Sequence, residues 1–507
     1  MAHKKEIVLA KPTFETPKLR AYPIIPVLQE DAMSHSSPFV AKPNHQEDLG
    51  FPGELVDDWK EKAIEKMGEL LKKYRSLRVF LDSCVKCGAC TDKCHYFQGT
   101  ADPKNMPVAR QDLFRNVYRR YFTVAGKYFP KLVGAQDLTE EVLDDWYKYF
   151  HQCSQCRRCS VFCPYGIDTA EISMAAREIL DHVGKGQKYC NEIIGKVHKI
   201  GNNLGLPEPA LIDTLEGLEE DVEEETGHVV RFPVDVKGAE VLLITPSADF
   251  FAEPHIDGLI GYAKVFHEAG ISWTLSSYAS EAGNFGMFIG SYEQMQKISW
   301  RIRKVAMELG VKRIVVGECG HAWRVAYSFW NTLIGPFDFL DQRYPVPQHI
   351  CEVTNDLVER GAIKLDKEAN DDKVLTYHDS CNVARGTRMG NIEGGQFLIP
   401  RAVIKSAVNH FVEMNPDTIH DQTYCCGGGG GLLTDDLLEL RIKGALPRME
   451  ALRDVIDNQK VTHMAAICAI CKSQFSKAMP FYDVPMDSII SVHQLVGDAL
   501  VMGNSHK

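Results

Sequence analysis

The sequence predicts two structured parts after an extended arm: a helical part rich in cysteine, and an α/β part built from two related units. Two cysteine runs with the same tight spacing lie between residues 84 and 163. From residue 238 onward, short β-rich runs alternate with helical patterns, which favours a largely parallel sheet. The landmarks of this second part occur twice in the same order, which indicates an internal repeat.

Composition excludes several classes of protein. The chain has 507 residues, enough for two to four domains. Its net charge is −11, whereas generic nucleic-acid binding requires a basic surface, so the charge argues against that function. The first residues contain no apolar core of a signal peptide, and no run approaches the roughly 18 apolar residues of a membrane span. We therefore expect neither feature, so membrane attachment would require another subunit. Sixteen clustered cysteines indicate metal ligands rather than disulfides.

Changes in composition divide the chain into five predicted segments. Proline and polar residues at the start predict an extended arm, and the acidic run at 215–228 suggests a linker, with an ordinary solvated charged face as the alternative. The segments are an extended arm at 1–55, a helical domain at 56–210, an acidic linker at 211–237, a first α/β unit at 238–370 and a second α/β unit at 371–507.

Local patterns predict the main elements in order. Apolar residues at helical spacing predict a helix over 57–76 that leads to the first cysteine run. Asp168 and Gly184 mark the start and end of a later helix. The β-rich runs predict strands at 239–245, 272–277, 312–318, 373–379 and 461–467.

The two α/β units differ in their cysteines. The second unit carries five, whereas the aligned first unit has Ala248, Glu281, Ala282 and Ala322 at four of the matching positions. Only Cys319 is retained there. We therefore predict one complete unit and one degenerate unit.

The two cysteine runs of the helical domain both read C-x2-C-x2-C-x3-C. This spacing is typical of cubane [4Fe–4S] clusters, and in two-cluster ferredoxins the fourth cysteine of each run binds the other cluster. The pattern predicts one cluster on Cys84, Cys87, Cys90 and Cys163, and a second on Cys153, Cys156, Cys159 and Cys94.

A pair of zinc sites is the alternative for these runs, but each run has a third cysteine step that zinc would not use. Two departures leave the exchange of the fourth cysteines open. His95 stands where the first run would carry proline, and the insert at 95–152 is long. The basic stretch 110–122 of that insert and the N-terminal arm are candidate docking surfaces for a membrane subunit, although an ordinary amphipathic helix explains the stretch equally well.

The second unit has the pattern C-x43-CC-x41-C-x2-C, with five glycines directly after the double cysteine. Five thiolates exceed the needs of one zinc ion or one ordinary cube. We interpret Gly427, Gly428 and Gly429 as cofactor-binding, because glycine lets backbone N–H groups approach a bulky inorganic ligand. The predicted ligands, Cys381, Cys425, Cys426, Cys468 and Cys471, follow or flank predicted strands and should meet at one edge of the sheet. A zinc site with spare core thiols is the alternative.

This cysteine signature resembles the CCG domain of heterodisulfide reductase catalytic subunits (HdrD-type). The resemblance implies a tandem CCG-type fold whose second copy holds a noncubane [4Fe–4S] cluster that cleaves disulfides. The layout of residues 60–500 is most similar to the DsrK-type branch, the cytoplasmic iron–sulfur subunits of the DsrMKJOP membrane complex of sulfur metabolism. The spacers between the cysteines are somewhat longer here than the family pattern.

The resemblance also implies the partner proteins and the direction of electron transfer. A haem-b membrane subunit of the DsrM type would oxidise menaquinol, alongside the other DsrMKJOP subunits. Electrons would pass through the two cubane clusters to the noncubane site, which would reduce the S–S bond of a DsrC-like sulfur carrier. The protein would then be cytoplasmic and peripheral on the inner face of the membrane. The same arrangement permits the reverse direction, and sequence does not decide between them.

Residues beside the five cysteines are further candidates. Cys319 and His321 are predicted to take part in catalysis, with Arg324 as a proton donor or anion ligand, and a loop histidine satisfied by its neighbours is the alternative. His378 and Asp379 either tune the site or satisfy backbone groups. Cys190 and Cys351 lie in helical patterns, and we interpret both as buried core thiols.

Two other functions compete with this interpretation. The chain could be the iron–sulfur relay subunit of a flavin-dependent 2-hydroxyacid or glycerol-3-phosphate dehydrogenase, although its polyglycine run lacks the context of a dinucleotide fingerprint. It could also be a non-catalytic redox sensor. A signal from the third cluster that responds to a thiol substrate would favour the reductase over both.

Overall fold

The structure is a computed structural model that describes residues 54–252, 255–434 and 437–503. The predicted arm therefore lies almost entirely outside the described residues. Within the described ranges, no helix is both long and apolar enough to cross a bilayer.

The first part of the chain is helical, as predicted. Its helices are α1 (Trp59–Lys73), α2 (Arg75–Ser83), α3 (His95–Thr100), α4 (Pro107–Phe122), α5 (Val124–Tyr128), α6 (Pro130–Val133), α7 (Glu140–His151), α8 (Arg158–Val161), α9 (Thr169–His182), α10 (Lys188–Ile200) and α11 (Glu208–Thr226).

Two predicted helices are confirmed. Helix α1 buries Met67 and Leu70, which lie on the predicted stripe. Helix α9 begins after Asp168, whose carboxylate accepts a hydrogen bond from the backbone N–H of Ala170 and so caps the helix. Gly184 follows the helix with φ of +87°, a backbone conformation that favours glycine.

The predicted acidic linker is wrong over most of its acidic run. The run lies in α11, whose apolar residues at three- and four-residue spacing are buried: Leu211, Leu215, Leu218 and Val222. Their side chains join the hydrophobic core that the two α/β units share. The acidic residues occupy the remaining face, so a packed amphipathic helix replaces the expected solvated connection.

The α/β part forms two sheets whose strands are all parallel to their neighbours. The first has the order β2-β1-β3-β4 and the second β5-β6-β7. The strands are β1 (Val241–Ile244), β2 (Trp273–Thr274), β3 (Arg313–Val316), β4 (Gln348–His349), β5 (Leu375–His378), β6 (His463–Ala466) and β7 (Ile489–Ser491). All five predicted strands are present, while β4 and β7 are too short to give a periodic signal.

The helices that pack on these sheets are α12 (His255–Glu268), α13 (Asn284–Phe288), α14 (Tyr292–Leu309), α15 (Gly320–Val325), α16 (Asn331–Ile334), α17 (Ile350–Glu359), α18 (Cys381–Gly386), α19 (Gly395–Ala407), α20 (Leu438–Gln459), α21 (Ala469–Ala478) and α22 (Val492–Ala499). A π-helical stretch, Ala326–Trp330, joins α15 to α16. Short 3₁₀ turns occur at Thr91–Lys93, Pro103–Asn105, Ser247–Phe250, Lys367–Asn370, Pro416–Thr418, His420–Gln422, Met479–Tyr482 and Met486–Ser488.

The two sheets share one topology. The neighbours β1, β3 and β4 correspond in order to β5, β6 and β7, and a helix follows β4 and β7 directly. The place of β2 beside β1 is taken in the second sheet by a parallel bridge between Leu375 and Phe411. This correspondence is what an internal repeat requires.

A buried ionic network joins the two units. The Glu318 carboxylate, just after β3, lies 3.2 Å from the Lys472 ammonium of α21 and 2.7 Å from Nδ1 of His493 in α22. Burial opposes the charge on Glu318, but Lys472 and His493 together lower its pKa from 4.5 to about 2. The network therefore stabilises the fold fully above pH 4.5, and this stabilisation is lost as pH falls toward 2.

We predict that Lys472→Met lowers the free energy of unfolding by about 3–5 kcal/mol, because it removes the ammonium that pairs with the Glu318 carboxylate in the interior. Anaerobic thermal and denaturant unfolding, with iron content recorded in parallel, would measure the loss. Lys297→Met is the matched control. Its ammonium lies 2.7 Å from Glu293, and both side chains are exposed, so we expect a loss below about 1 kcal/mol. Equal losses in the two variants would contradict a special role for the buried network.

Candidate iron–sulfur centre

The first cysteine run wraps a cavity at the end of α2. The cavity is lined by Cys84, Cys87, Cys90 and Cys163, and also by Cys159. Lys86 and Gly88 have φ of +57° and +82°, so the loop turns tightly enough to aim neighbouring thiols inward. Cys87 is exposed, which places this cavity at the protein surface.

The second run wraps a neighbouring cavity lined by Cys94, Cys153, Cys156 and Cys159. Gln155 and Arg157 have φ of +57° and +62°. The backbone N–H of Gln155 donates to the Cys153 sulfur at 3.4 Å. In each cavity, the first three cysteines of one run lie with the fourth cysteine of the other.

Both cavities fit an iron–sulfur cluster in donor chemistry. Their metal-binding side chains are thiols, and no carboxylate lines either cavity among the described residues. Burial opposes the charge on Arg110, but the neighbouring sulfurs of Cys153, Cys94 and Cys159 raise its pKa. A fixed cation beside the second cavity suits a cluster whose thiolate ligands carry net negative charge.

The third cysteine set lies at the carboxyl ends of β5 and β6, as predicted. Cys381 opens α18, Cys468 caps α21, and Cys471 lies in the first turn of α21. Cys425 and Cys426 arrive on the loop before α20, and all five thiols are at most 3% exposed. Within the described residues, no three ligand-type side chains converge on one point as they do around a single ion.

The thiols of this set contact one another and the second cysteine run. Cys425 accepts hydrogen bonds from the thiols of Cys156, Cys381 and Cys426, and these bonds lower its pKa well below the usual value. Cys468 accepts from Cys319 and Cys471, which lowers its pKa in the same way. Cys426 in turn contacts Cys471. A continuous series of sulfurs therefore runs from the second cavity into the third set.

The glycine loop makes this contact possible. A Cβ at Gly430 would lie 2.8 Å from the Cys153 carbonyl oxygen, and a Cβ at Gly427 would overlap the Arg441 carbonyl oxygen. Gly429 faces the Ser154 carbonyl and the His321 ring, while Gly428 faces Gln474. The close approach visible here is to protein rather than to a ligand, so a cofactor-binding role of Gly427, Gly428 and Gly429 stays a prediction.

Cys319 and His321 lie beside the third set. Cys319 is the N-cap of α15, the counterpart of Cys468 in α21, and the two thiols meet. Nδ1 of His321 lies 3.6 Å from the Cys468 sulfur, and its Nε2 has no hydrogen-bond partner. His321 lies in a buried helix rather than a loop and has one open ring nitrogen, and its part in catalysis stays a prediction.

Arg324 is the second open polar group at this site. It is 1% exposed, and its Nη1 donates to the Asn382 side chain at 2.7 Å. Its Nε and Nη2 have no partner, and the Cys381 thiol is among the groups that act on its charge. Burial lowers its pKa to about 9, so the guanidinium is charged at neutral pH. Sequence singled out Arg324, but Asn382 was missed, although it directly follows a predicted ligand.

Of the remaining predicted residues, three have structural surroundings, and the fourth is a buried histidine without a hydrogen-bond partner. Asp379 is paired with Arg401 at 2.7 Å and so satisfies a buried cation. His378 is buried with both ring nitrogens unpartnered, and burial lowers its pKa to about 3. Cys190 and Cys351 are fully buried, which confirms their interpretation as core thiols.

The contacts of His95 account for a histidine at the position where the first cysteine run would carry proline. Its Nδ1 lies 2.7 Å from the Gly444 carbonyl of α20, and its Nε2 lies 2.7 Å from the Ser154 hydroxyl. The histidine thus joins the first cysteine run to the second run and to the second α/β unit, which a proline could not do. The sequence shows that histidine replaces proline here, but it does not show which groups the histidine contacts.

Comparison with known proteins agrees with this geometry. The family model described as a 4Fe-4S dicluster domain matches residues 80–167. The chain is 43% identical to the Hdr-like menaquinol oxidoreductase iron-sulfur subunit 2 of Archaeoglobus fulgidus, over 88% of this chain and 84% of that protein. It is 42% identical to the corresponding protein of Archaeoglobus profundus, with the same coverage.

A more distant relative supports the resemblance to the heterodisulfide reductases. The HdrD-type chain of the dihydromethanophenazine:CoB–CoM heterodisulfide reductase of Methanosarcina barkeri is 26% identical over 84% of this chain and 95% of its own length. Identity above 40% over most of both chains, together with the matched dicluster domain, decides the assignment. The chain belongs to the Hdr-like menaquinol oxidoreductase iron–sulfur subunits, the DsrK-like relatives of the HdrD-type heterodisulfide reductases.

Proposed function

We propose that this protein carries electrons from a membrane partner that oxidises menaquinol, through two cubane clusters, to a noncubane site that reduces an S–S bond. The observation that carries the proposal is the contact between Cys156 of the second cavity and Cys425 of the third set. It makes the second cavity and the terminal cysteines neighbours, so an electron needs no intervening carrier between them.

The order of the three sites follows from their exposure. The first cavity contains the exposed Cys87 and shares Cys159 with the second cavity, whereas the terminal cysteines are buried. Electrons therefore have an entry at the surface and an end inside the α/β part. Iron–sulfur clusters supply one-electron chemistry when bound. The names of the relatives support menaquinol as the electron source.

The residues at the end of this path suit sulfur chemistry. Cys381, Cys425, Cys426, Cys468 and Cys471 would hold the terminal cluster, and Gly427 N–H donates to the Cys425 sulfur at 3.4 Å. The free N–H groups of Arg324 can bind a substrate thiolate as the S–S bond breaks, and the open Nε2 of His321 can accept a hydrogen bond from a protonated substrate sulfur. Cys319 is placed to contact the same sulfur because it lies against Cys468.

Burial of the terminal thiols limits the form of the substrate. Each is at most 3% exposed, so a substrate sulfur must arrive on a slender segment or through a local opening. A disulfide or trisulfide on a small DsrC-like carrier would meet this requirement if it lies on a slender exposed segment of that carrier. We accordingly propose a DsrMKJOP-like complex, with this protein on the inner face of the cytoplasmic membrane. A relay for a flavin enzyme, or a sensor, would not need the open donors beside the terminal thiols.

We predict about 12 iron atoms per anaerobically purified chain, as three four-iron clusters require. Cys471→Ser should leave about eight iron atoms, remove the paramagnetic signal of the terminal site, and abolish quinol-dependent S–S reduction. Cys351→Ser is the matched control, since Cys351 is equally buried but lies outside the set, and it should keep all three properties.

Two results would contradict this assignment. Zinc beside the glycine loop, or about eight irons in the unmodified protein, would leave only an electron conduit. A terminal signal that does not change when a thiol substrate is added would favour the relay or the sensor.

We predict that Arg324→Met lowers the midpoint potential of the terminal site, because a buried cation favours the more negative reduced state. At an effective dielectric constant of about 20, one charge several ångströms away is worth on the order of 2 kcal/mol, or about 90 mV for one electron. Redox titration followed by paramagnetic resonance would measure the shift. Arg324→Lys should restore most of it, and Arg360→Met, at an exposed position, should change nothing. An unchanged potential in Arg324→Met would remove Arg324 from the site.

A further inference from the structure

The insert between the two cysteine runs carries an unusual apolar surface. Among the described residues, the four large apolar side chains with the highest exposed fractions all belong to this insert. They fall within a stretch of nine residues. They are Val124 (75% exposed), Tyr128 (75%), Phe129 (65%) and Leu132 (84%). We call residues 124–133, which form α5, Phe129 and α6, the apolar knob. Single exposed apolar residues need no explanation, but a contiguous group usually marks an interaction surface.

The fold holds the knob in this position. The Thr123 hydroxyl donates to the Arg119 carbonyl and accepts from Gly126 N–H at 3.1 Å, which pins the start of α5 to the end of α4. A Cβ at Gly126 would overlap the Arg119 carbonyl oxygen, so only glycine permits this approach. The Arg119 side chain then donates to the Val133 carbonyl at 2.9 Å and fixes the far end. The apolar side chains are thus directed outward by an ordered framework.

The charge around the knob is opposite to that of the whole chain. Residues 113–136 contain five basic and no acidic residues, whereas the chain carries a net charge of −11. Arg120 pairs with Asp137 at the edge of this region. Lys127 and Lys131 are exposed within the knob itself, and neither ammonium has an acidic partner among the described residues.

We propose that the apolar knob binds directly to a bilayer surface that contains anionic phospholipids. Exposed tyrosine, phenylalanine and leucine fit the boundary between headgroups and acyl chains, and lysines beside them reach the phosphate groups with their ammonium ends. The unpaired lysines and the absence of acidic residues match a negative surface. A protein partner is a poorer fit, because lysine is depleted at the core of protein interfaces.

This contact would orient the electron path. Val108 and Gln111, near the start of α4, line the first cysteine cavity, and the knob follows the other end of the same helix. The helix rises about 1.5 Å per residue, so Thr123 lies about 18 Å along its axis from Gln111. A knob seated on lipid would therefore keep the exposed first cavity near the membrane. The proposal is independent of the reaction at the terminal cysteines.

The test is vesicle binding by the anaerobically purified full-length protein with its clusters. We expect sedimentation with phosphatidylcholine vesicles that contain phosphatidylglycerol, weaker binding as salt rises, and at least tenfold weaker binding to pure phosphatidylcholine. Lys127→Gln with Lys131→Gln should weaken binding about 30-fold, since each lysine near an anionic surface contributes about fivefold. Phe129→Ser with Leu132→Ser should weaken binding at least tenfold, including at low salt.

Matched controls separate the knob from general effects. Trp300→Ser with Met307→Ser removes two exposed apolar side chains of α14 (52% and 55% exposed), and this variant should bind as the unmodified protein does. Iron content should be unchanged in every variant. Absence of binding to anionic vesicles, or an equal loss in the α14 control, would overturn the proposal. Normal vesicle binding by the knob variants, combined with loss of a co-purifying membrane protein, would overturn it in favour of protein docking.

Discussion

The buried guanidinium of Arg177 in α9 holds the three parts of the protein together. It donates to the carbonyl of Phe150 in the helical domain, to that of Phe288 in the first α/β unit, and to that of Gly430 in the glycine loop. It also donates to the Cys153 carbonyl at the second cavity. Burial lowers its pKa to about 10, so it remains charged at neutral pH, and the ring of carbonyl dipoles compensates for lost hydration. Through the Cys153 and Gly430 carbonyls, this side chain links the second cysteine set to the glycine loop that follows Cys426.

The hydrophobic cores follow the same arrangement. Leu432, Leu437 and Leu440, which follow the glycine loop, pack in the core of the helical domain. Met174 and Cys190 of the helical domain pack in the core that the two α/β units share. The parts interpenetrate rather than meet at a flat boundary. Such packing suits a chain of redox sites, because electron transfer between neighbouring clusters requires separations that do not fluctuate.

Charge near the thiols is opposite to the charge of the whole chain. Buried arginines surround the three cysteine sets, with Arg110 beside the second cavity, Arg177 at the glycine loop and Arg324 beside Cys381. The first α/β unit shows the converse. At the position that aligns with Cys425 it has Glu281, whose carboxylate accepts from the Ser247 backbone and hydroxyl. Burial raises the pKa of Glu281 to about 7. A hydrogen-bonded polar core thus occupies the place that the cysteines take in the second unit.

Sequence alone determined which cysteines lie together and where the parallel strands run, because cysteine spacing and β-rich runs are local properties. It also showed Cys319, His321 and Arg324 as neighbours of the site. It failed where an outcome depends on what lies across a contact. The acidic run of α11 was taken for a linker because its four buried apolar residues matter only against a core. The cofactor-binding role of the glycines stays a prediction, and only the tertiary structure shows that Cys153 and Ser154 pack against the glycine loop. The roles of Arg177, Asn382 and His95 were likewise decided by the tertiary structure, since each bonds to residues far away in the chain, and no local pattern records such a partner.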